Sequence, residues 1–310
     1  MTSGYEALRQ GAAVLDLSAR ARIVARGRDR ARLLHNLTTN EVKKMLPGEA
    51  AYAFLLTPQG RIQADLNLLC FTDHFLLDTE PDLREKVPAL IRKYIIADQV
   101  ELEDVTAAIS SIGVEGPGSG KLLESLGAAL PLAAFAHTQW GDTTVASITL
   151  SGQPGYRLFV PAARHGELLR MLGEAGGIPV SAEDARTVRI ENGRPRYGED
   201  ILETSLPQET QQMHAVSFTK GCYLGQEIVE RIRARGHVNR TLVRLEIEAS
   251  EAPAAGTKVL AGGTECGEVT SAVHSGNAGK VVALAYVRVP HNESGTVLTV
   301  AGAPARVTVP

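Results

Sequence analysis

The stretch FTKGCYLGQEIVERIRARG, residues 218–236, sets one cysteine between a Lys-Gly pair and a Tyr-Leu-Gly-Gln-Glu run, with an arginine-loaded tail behind it. Ile228, Val229 and Ile232 fall at i, i+1 and i+4, the spacing of one helix face. Glu227 and Glu230 precede Arg231, Arg233 and Arg235, the charge order a helix dipole favours, and Gly236 stands where a helix is closed. Cys222 therefore lies in or just before a first helical turn, with Lys220 nearby. Both surroundings favour a thiolate. Gly221 and Gly225 permit close backbone approach. A nucleophile needs a base, and His214 and His237 are near only in sequence, without a Cys-His signature. One thiolate cannot hold an iron–sulfur cluster alone, although a second molecule could complete one. A reactive thiol suits so polar a setting better than the structural role expected of Cys70 and Cys266.

The rest of the chain narrows the class. Its 310 residues are 44% hydrophobic and 22% charged, with 30 Gly and 15 Pro, ordinary values for a globular protein with room for two or three domains. A net charge of −3 speaks against general nucleic-acid binding. One stretch leans the other way: SARARIVARGRDRAR carries six arginines from Arg20 to Arg32 against Asp29 alone. Alternate arginines pointing to solvent are the expected reading, with an anion site as the other. Three widely spaced cysteines imply no disulfide framework, and no metal-binding spacing is present. Neither a signal peptide nor an apolar run long enough to span a membrane is found, so the expected location is the cytoplasm.

Strand and helix patterns alternate irregularly up to about residue 238. ARIVARGRD reads as a strand leading to a helix that Asp29 caps, with Leu33, Leu34 and Leu37 on one face. AAYAFLLTPQGRIQADLNLLCF and HFLLDTE read as three strands, the first two joined by a Pro-Gln-Gly turn. Helical spacing then runs through Leu90, Ile91, Tyr94 and Ile95. Hairpins interleaved with helices indicate an α+β fold. Short strands and Gly-rich turns dominate from residue 239 to 310, the pattern of a small β-barrel or sandwich domain. The expected division is thus 1–238 and 239–310.

Other motifs are less specific. GPGSGK, residues 116–121, has Glu115 and Leu122 where a phosphate loop needs glycine and a hydroxyl, so a strand-to-helix turn is expected. In TPQGRIQADL, alternation puts Ile62, Ala64 and Leu66 on one face and Gln63, Asp65 and Asn67 on the other. Periodicity alone favours solvent over a pocket for the polar face. In RTVRIENGRPRYGEDI, Arg186 and Arg189 share a helix face. Glu191 could accept paired N–H donors of a heterocycle, with a surface ion-pair set as the plainer alternative.

Together, KGCYLGQE, LLTPQGRIQADL, RIENGRPRYGEDI, LPQE (residues 206–209), GEVTSAVHS and GKVVALAYVR resemble the YgfZ-type members of the superfamily that includes the glycine-cleavage T-protein, over nearly the whole chain. The resemblance implies a three-lobed ring with a small C-terminal β-barrel, enclosing a site for tetrahydrofolate. Asp65 stands where the T-protein has its catalytic aspartate, although Ala64 replaces the preceding acid. Arg189 and Glu191 match the T-protein's Arg-x-Glu-x-Gly segment. Gln153 and Tyr156 lie in SGQPGYR, which matches a Thr-Gly-Glu-x-Gly-Tyr-Glu segment whose first glutamate holds the pteridine. That acid is Gln153 here, and the second is Arg157. Loss of one charged hydrogen bond costs roughly 1.5–3 kcal/mol.

The YgfZ-type motif implies a folate-binding accessory factor for assembly and repair of iron–sulfur proteins, among them radical-SAM enzymes that methylthiolate tRNA. Cys222 would be its essential thiol, completing a transient cluster with an A-type carrier or accepting a one-carbon or sulfur-linked group, with the carrier and iron–sulfur client enzymes as partners. Lys220, Gly221, Tyr223, Gly225, Gln226 and Glu227 would shape that site. Asp65, Arg189 and Glu191 would face the folate, and a basic stretch, Arg20–Arg32 or Arg231–Arg240, would meet its polyglutamate tail. The alternatives are a tetrahydrofolate-dependent aminomethyl- or methyltransferase and an interaction module with a vestigial pocket. Retained Asp65 speaks for the transferase, whereas Gln153, Arg157 and the cysteine motif speak against it.

Overall fold

A computed structural model describes residues 3–236, 238–276 and 279–308. The chain forms two mixed helix–sheet lobes and a closed barrel. One lobe is a six-stranded sheet in the order Ile178–Pro179, Ala13–Asp16, Ile109–Glu115, Gly155–Pro161, Thr143–Ala146, His137–Trp140. The other is five-stranded, in the order Ala50–Leu56, Ile62–Cys70, His74–Thr79, Ala21–Arg26, Glu101–Asp104. The chain enters the first sheet at Ala13, leaves to build the whole second sheet, and returns at Ile109. Six antiparallel strands between Arg240 and Thr308 close the barrel. It is filled by small and β-branched residues such as Val259, Val269, Ala283, Ala285 and Val300. Among the described residues no helix is long and apolar enough to cross a membrane.

The strand Ile62–Cys70 positions the site, and its alternation is interrupted. Phe54 pairs with Asp65, Leu55 with Ala64, and then Leu56 with Ile62, which leaves Gln63 as the extra residue of a β-bulge. Ile62 is thereby moved onto the Asp65 face, where it packs with Phe54, Leu56 and Tyr223. Ala64, Leu66 and Leu68 face the helices Arg30–Leu37 and Lys86–Arg92. An unbroken alternation places Ile62 with Ala64. One inserted residue reverses that.

Local expectations are corrected elsewhere too. Asp29 is the N-cap residue of Arg30–Leu37 but makes no capping bond. Its carboxylate instead accepts the Gln99 N–H at 2.8 Å, tying the turn to the edge of the sheet. The helix Lys86–Arg92 ends before Tyr94 and Ile95, because the chain must turn back to add Glu101–Asp104 beside Ala21–Arg26. The arginine-rich strand is not a uniformly solvated face. Arg26, Arg28 and Arg32 are exposed, whereas Arg20 and Arg22 are buried. Asp78 pairs with Arg22 across the sheet and supplies the carboxylate that Arg20 needs.

Candidate functional site

A pocket of about 280 Å³ opens between the two sheets. The strands Ala50–Leu56 and Ile62–Cys70 contribute Tyr52, Asp65 and Asn67. The opposite sheet and the turn before its strand Gly155–Pro161 contribute Ser147–Leu150, Gln153 and Arg157. Segments 194–196 and 212–214 close the remaining sides. The polar face judged solvent-exposed from periodicity is therefore two-thirds pocket: Asp65 and Asn67 line it, and Gln63 does not.

Asp65 is 9% exposed. Tyr52 donates its Oη–H to Oδ2 at 2.8 Å, while Oδ1 is buried and has no partner among the described residues. Burial, followed by the neighbouring Glu80 charge, pushes the Asp65 pKa up to about 6 against the Tyr52 hydrogen bond and Arg20. An unsatisfied buried carboxylate oxygen is costly unless a ligand or proton meets it.

Behind Asp65 lies an ion-pair network. Asp78 is fully buried and accepts from Arg20, Arg157 and the Asn67 amide. Glu80 accepts from Arg20 at 2.6 Å and from Arg196 at 2.6 Å. Burial works against the ionised form of both acids, but the arginines outweigh it and hold both carboxyls below their ordinary range. Arg157, which occupies an acid's place in the T-protein motif, thus serves Asp78.

One wall is aromatic. The rings of Tyr52 and His214 stack at 5.4 Å between centroids, and Phe135 stacks on His214 at 5.7 Å. Burial, then the charge of Arg194, lowers the His214 pKa to about 4, so the imidazole is neutral at physiological pH. The same three residues face a second hollow of about 450 Å³ toward Lys44 and Glu49.

Not every expected residue comes to the pocket. Arg189 lines it, with its guanidinium held by Glu199 and Asp200, each at 2.6 Å. Glu191 does not line it. Its carboxylate takes Arg9 and the Tyr5 hydroxyl, because residues two apart on a helix point to opposite sides. Tyr156 alternates with Arg157 on its strand and packs against the core on the other face. Gln153 lines the pocket. Among the described residues of the two basic stretches, only Arg20 lines it.

The KGCYLGQE loop is outside the pocket. Lys220 is buried and donates to the carbonyls of His35, Thr38 and Asn40 at 2.5, 2.6 and 2.8 Å, at the C-terminal end of Arg30–Leu37. Burial pulls its pKa down to about 7. Three carbonyl acceptors match the three donors of an ammonium, so the cage is built for the charged form. All three donors go to the backbone of residues 35–40, not to the thiol. Cys222 is exposed, whereas Cys70 and Cys266 are buried. Tyr223 is buried under Ile62 and Val229. Gly225 adopts φ +83° and starts the helix Gln226–Arg235; a Cβ there would lie 2.6 Å from the Thr57 carbonyl. Gly221 lies beside His35 Nε2. Gln226 is partly exposed, and Glu227 is exposed and pairs with Arg231 one turn on. His214, near Cys222 in sequence, belongs to the pocket instead; His237 lies outside the described residues.

Two sheets around a polar pocket, with a barrel appended, define a T-protein-type fold. Residues 1–220 match the GCVT N-terminal domain, and residues 240–309 match the glycine cleavage T-protein C-terminal barrel domain. The chain belongs to the glycine cleavage T-protein family. It is similar to an aminomethyltransferase of Rubrobacter xylanophilus, 31% identical over 94% of this chain and 80% of the relative. A Nostoc aminomethyltransferase is 30% identical over 93% and 80%. The crystal structure of aminomethyltransferase T of the glycine cleavage system from Bartonella henselae superposes with a TM-score of 0.91 at 20% identity, covering 98% of this chain and 87% of that one. That likeness speaks to the fold.

Proposed function

We propose that the chain binds a reduced folate in the pocket around Asp65 and works there as a tetrahydrofolate-dependent aminomethyl- or methyltransferase. The observation that carries this is the buried, unpartnered Asp65 Oδ1 on a carboxyl with a pKa of about 6. Such a group accepts a ligand N–H or holds a proton near working pH. The residues fit the ligand. The aromatic wall of Tyr52, His214 and Phe135 suits a planar ring, and the Gln153 side chain offers an oxygen and an amino group in place of a carboxylate. Bound tetrahydrofolate would supply the nitrogens that take up a one-carbon group. Asp65 would hold the proton beside them, Tyr52 would fix its second oxygen, and Arg20 and Arg196 would keep Glu80 ionised. The membership of the family and the relatives named aminomethyltransferase support this reading. The test is folate-dependent product formation from an aminomethylated lipoyl carrier or small N-methyl donors. Turnover lost in Asp65→Ala and kept in Cys222→Ala is expected; absence of turnover with every donor would overturn it.

One observation favours a second, YgfZ-type role in iron–sulfur protein maturation. Cys222 is the exposed thiol of the three and sits on a loop clamped at Lys220. Among the described residues no three His, Cys, Asp or Glu side chains gather to hold a metal, so a cluster at Cys222 would need a carrier's or client's ligands. Aconitase and tRNA-methylthiolation activities in cells lacking the gene, rescued with wild type but not with Cys222→Ala, would support this role. Full rescue by the variant would remove it.

A further inference from the structure

Five arginines line the pocket, and ion pairing sorts them. Arg20, Arg157 and Arg196 share Asp78 and Glu80, and Arg189 is held by Glu199 and Asp200. Arg194 differs. Among the described residues its guanidinium has no ion pair and no side-chain hydrogen bond, although the residue is half-buried on the pocket wall. A guanidinium carries five N–H donors in a planar fork that matches a carboxylate. In a partly desolvated pocket that capacity is left open.

The Arg194 backbone is held in place, and the stem of its side chain is packed. The Arg194 N–H donates to the Arg189 carbonyl at 3.0 Å, and the Arg194 carbonyl accepts from Arg189 Nη1 at 2.5 Å. Its aliphatic stem lies over Gly152, which adopts φ +79°. A Cβ on Gly152 would come within 2.6 Å of Arg194 Cγ, so glycine leaves the stem its place. Burial lowers the His214 pKa and the Arg194 charge adds to it, whereas burial raises the Tyr52 pKa and the Arg194 charge opposes it in part. Asp65, the unsatisfied acid of the same pocket, does not pair with it. The two open groups ask for opposite partners: an acceptor at Arg194, and a donor at Asp65 Oδ1.

We propose that Arg194 is a carboxylate-binding residue of this pocket, which thereby selects ligands carrying a carboxylate for Arg194 and an N–H donor for Asp65. The identity of the N–H-bearing part rests on the folate reading; the carboxylate contact does not. Two sources share this chemistry. One is the glutamyl end of the folate itself. The other is a separate small N-substituted amino acid that surrenders its one-carbon group.

The experiment is titration calorimetry of the full chain as wild type, Arg194→Ala and Arg194→Lys. The probes are 5-formyltetrahydrofolate, the same compound with its glutamyl carboxylates converted to amides, and N-methylglycine with and without folate. Arg194→Ala should weaken a carboxylate ligand by about ten- to hundredfold, the size of a lost charge-assisted hydrogen bond. Arg194→Lys should recover part of this, since it keeps the charge without the fork. If the amide binds wild type as weakly as folate binds Arg194→Ala, the glutamyl end is the source. If folate affinity holds and N-methylglycine binding falls, the small amino acid is the source. Wild-type affinity of Arg194→Ala for both ligands would overturn the proposal and leave the folate reading standing. Wild type that ignores folate but binds N-methylglycine through Arg194 would sink only the folate reading. Binding of neither would sink both.

Discussion

The pocket around Asp65 and the loop that carries Cys222 set a reactive group into the fold in opposite ways. Asp65 is buried, its proton affinity raised by burial and by neighbouring acids, and one of its oxygens is left open. Cys222 is exposed, and the buried charge beside it in sequence, Lys220, is spent on backbone carbonyls. The two regions still touch: Gly225 of the loop rests on the turn between the strands that carry Tyr52 and Asp65. The contrast teaches that burial makes the chemistry of the first region an intrinsic property. The second can act only with whatever docks on it.

The sharpest break between them is kinetic. Asp65→Ala should lower one-carbon transfer by about 10²- to 10⁴-fold, the range for removal of a proton-handling group, while Cys222→Ala leaves the rate within about twofold. Equal losses in a turnover assay would erase the distinction. The next effect is on stability. Asp78→Ala strands Arg157 in the interior, leaves Arg20 with Glu80 alone, and should cost about 3–5 kcal/mol in urea unfolding, as a broken buried ion pair does.

Acid–base behaviour sharpens the comparison further. The Asp65 pKa is raised from 3.8 to about 6 on folding. The folded state therefore binds its proton more tightly, and the stability so gained is present at low pH and lost as pH rises from about 4 to about 6. Relative to Asp65→Asn, wild type should lose about 3 kcal/mol across that window, two pKa units at 1.36 kcal/mol each. A flat difference between the two unfolding profiles would show that Asp65 is not buried as described. The smallest effect belongs to the loop. Lys220→Met should cost about 2 kcal/mol in thermal or urea unfolding by leaving three carbonyls without their donor, whereas Cys222→Ala should change stability by less than about 0.5 kcal/mol.

The strands were legible because their apolar runs are long and their turns carry glycine, as in LLTPQGRI. The six barrel strands show the same regularity. The face of a strand was less legible. A polar residue every second position reads alike whether it meets water or a pocket, and the bulge at Gln63 left no mark in composition. The motifs themselves offered Asp65, Arg189 and Glu191; the resemblance raised Asp65 and Arg189 above a surface role and added Gln153. It also kept Glu191 and added Tyr156, which local periodicity turns away from the pocket. Tyr52, His214 and Arg194 were missed because nothing local distinguishes a ring or cation that faces a cavity from one that faces a core or solvent. Asp78 and Glu80 did leave a signal: two acids, two positions apart, close the run HFLLDTE, and two arginines with the same spacing, Arg20 and Arg22, open the neighbouring ARARIVAR. Matching those two patterns would have found the buried network.

The most direct test of the central claim is hydrogen exchange of the full chain with and without 5-formyltetrahydrofolate. Slower exchange is expected in Tyr52 and Asp65, in segments 147–157 and 189–196, and at 212–214, with residues 219–224 unchanged. Protection centred on the Cys222 loop, or none anywhere at saturating ligand, would contradict the assignment of the Asp65 pocket as the folate site.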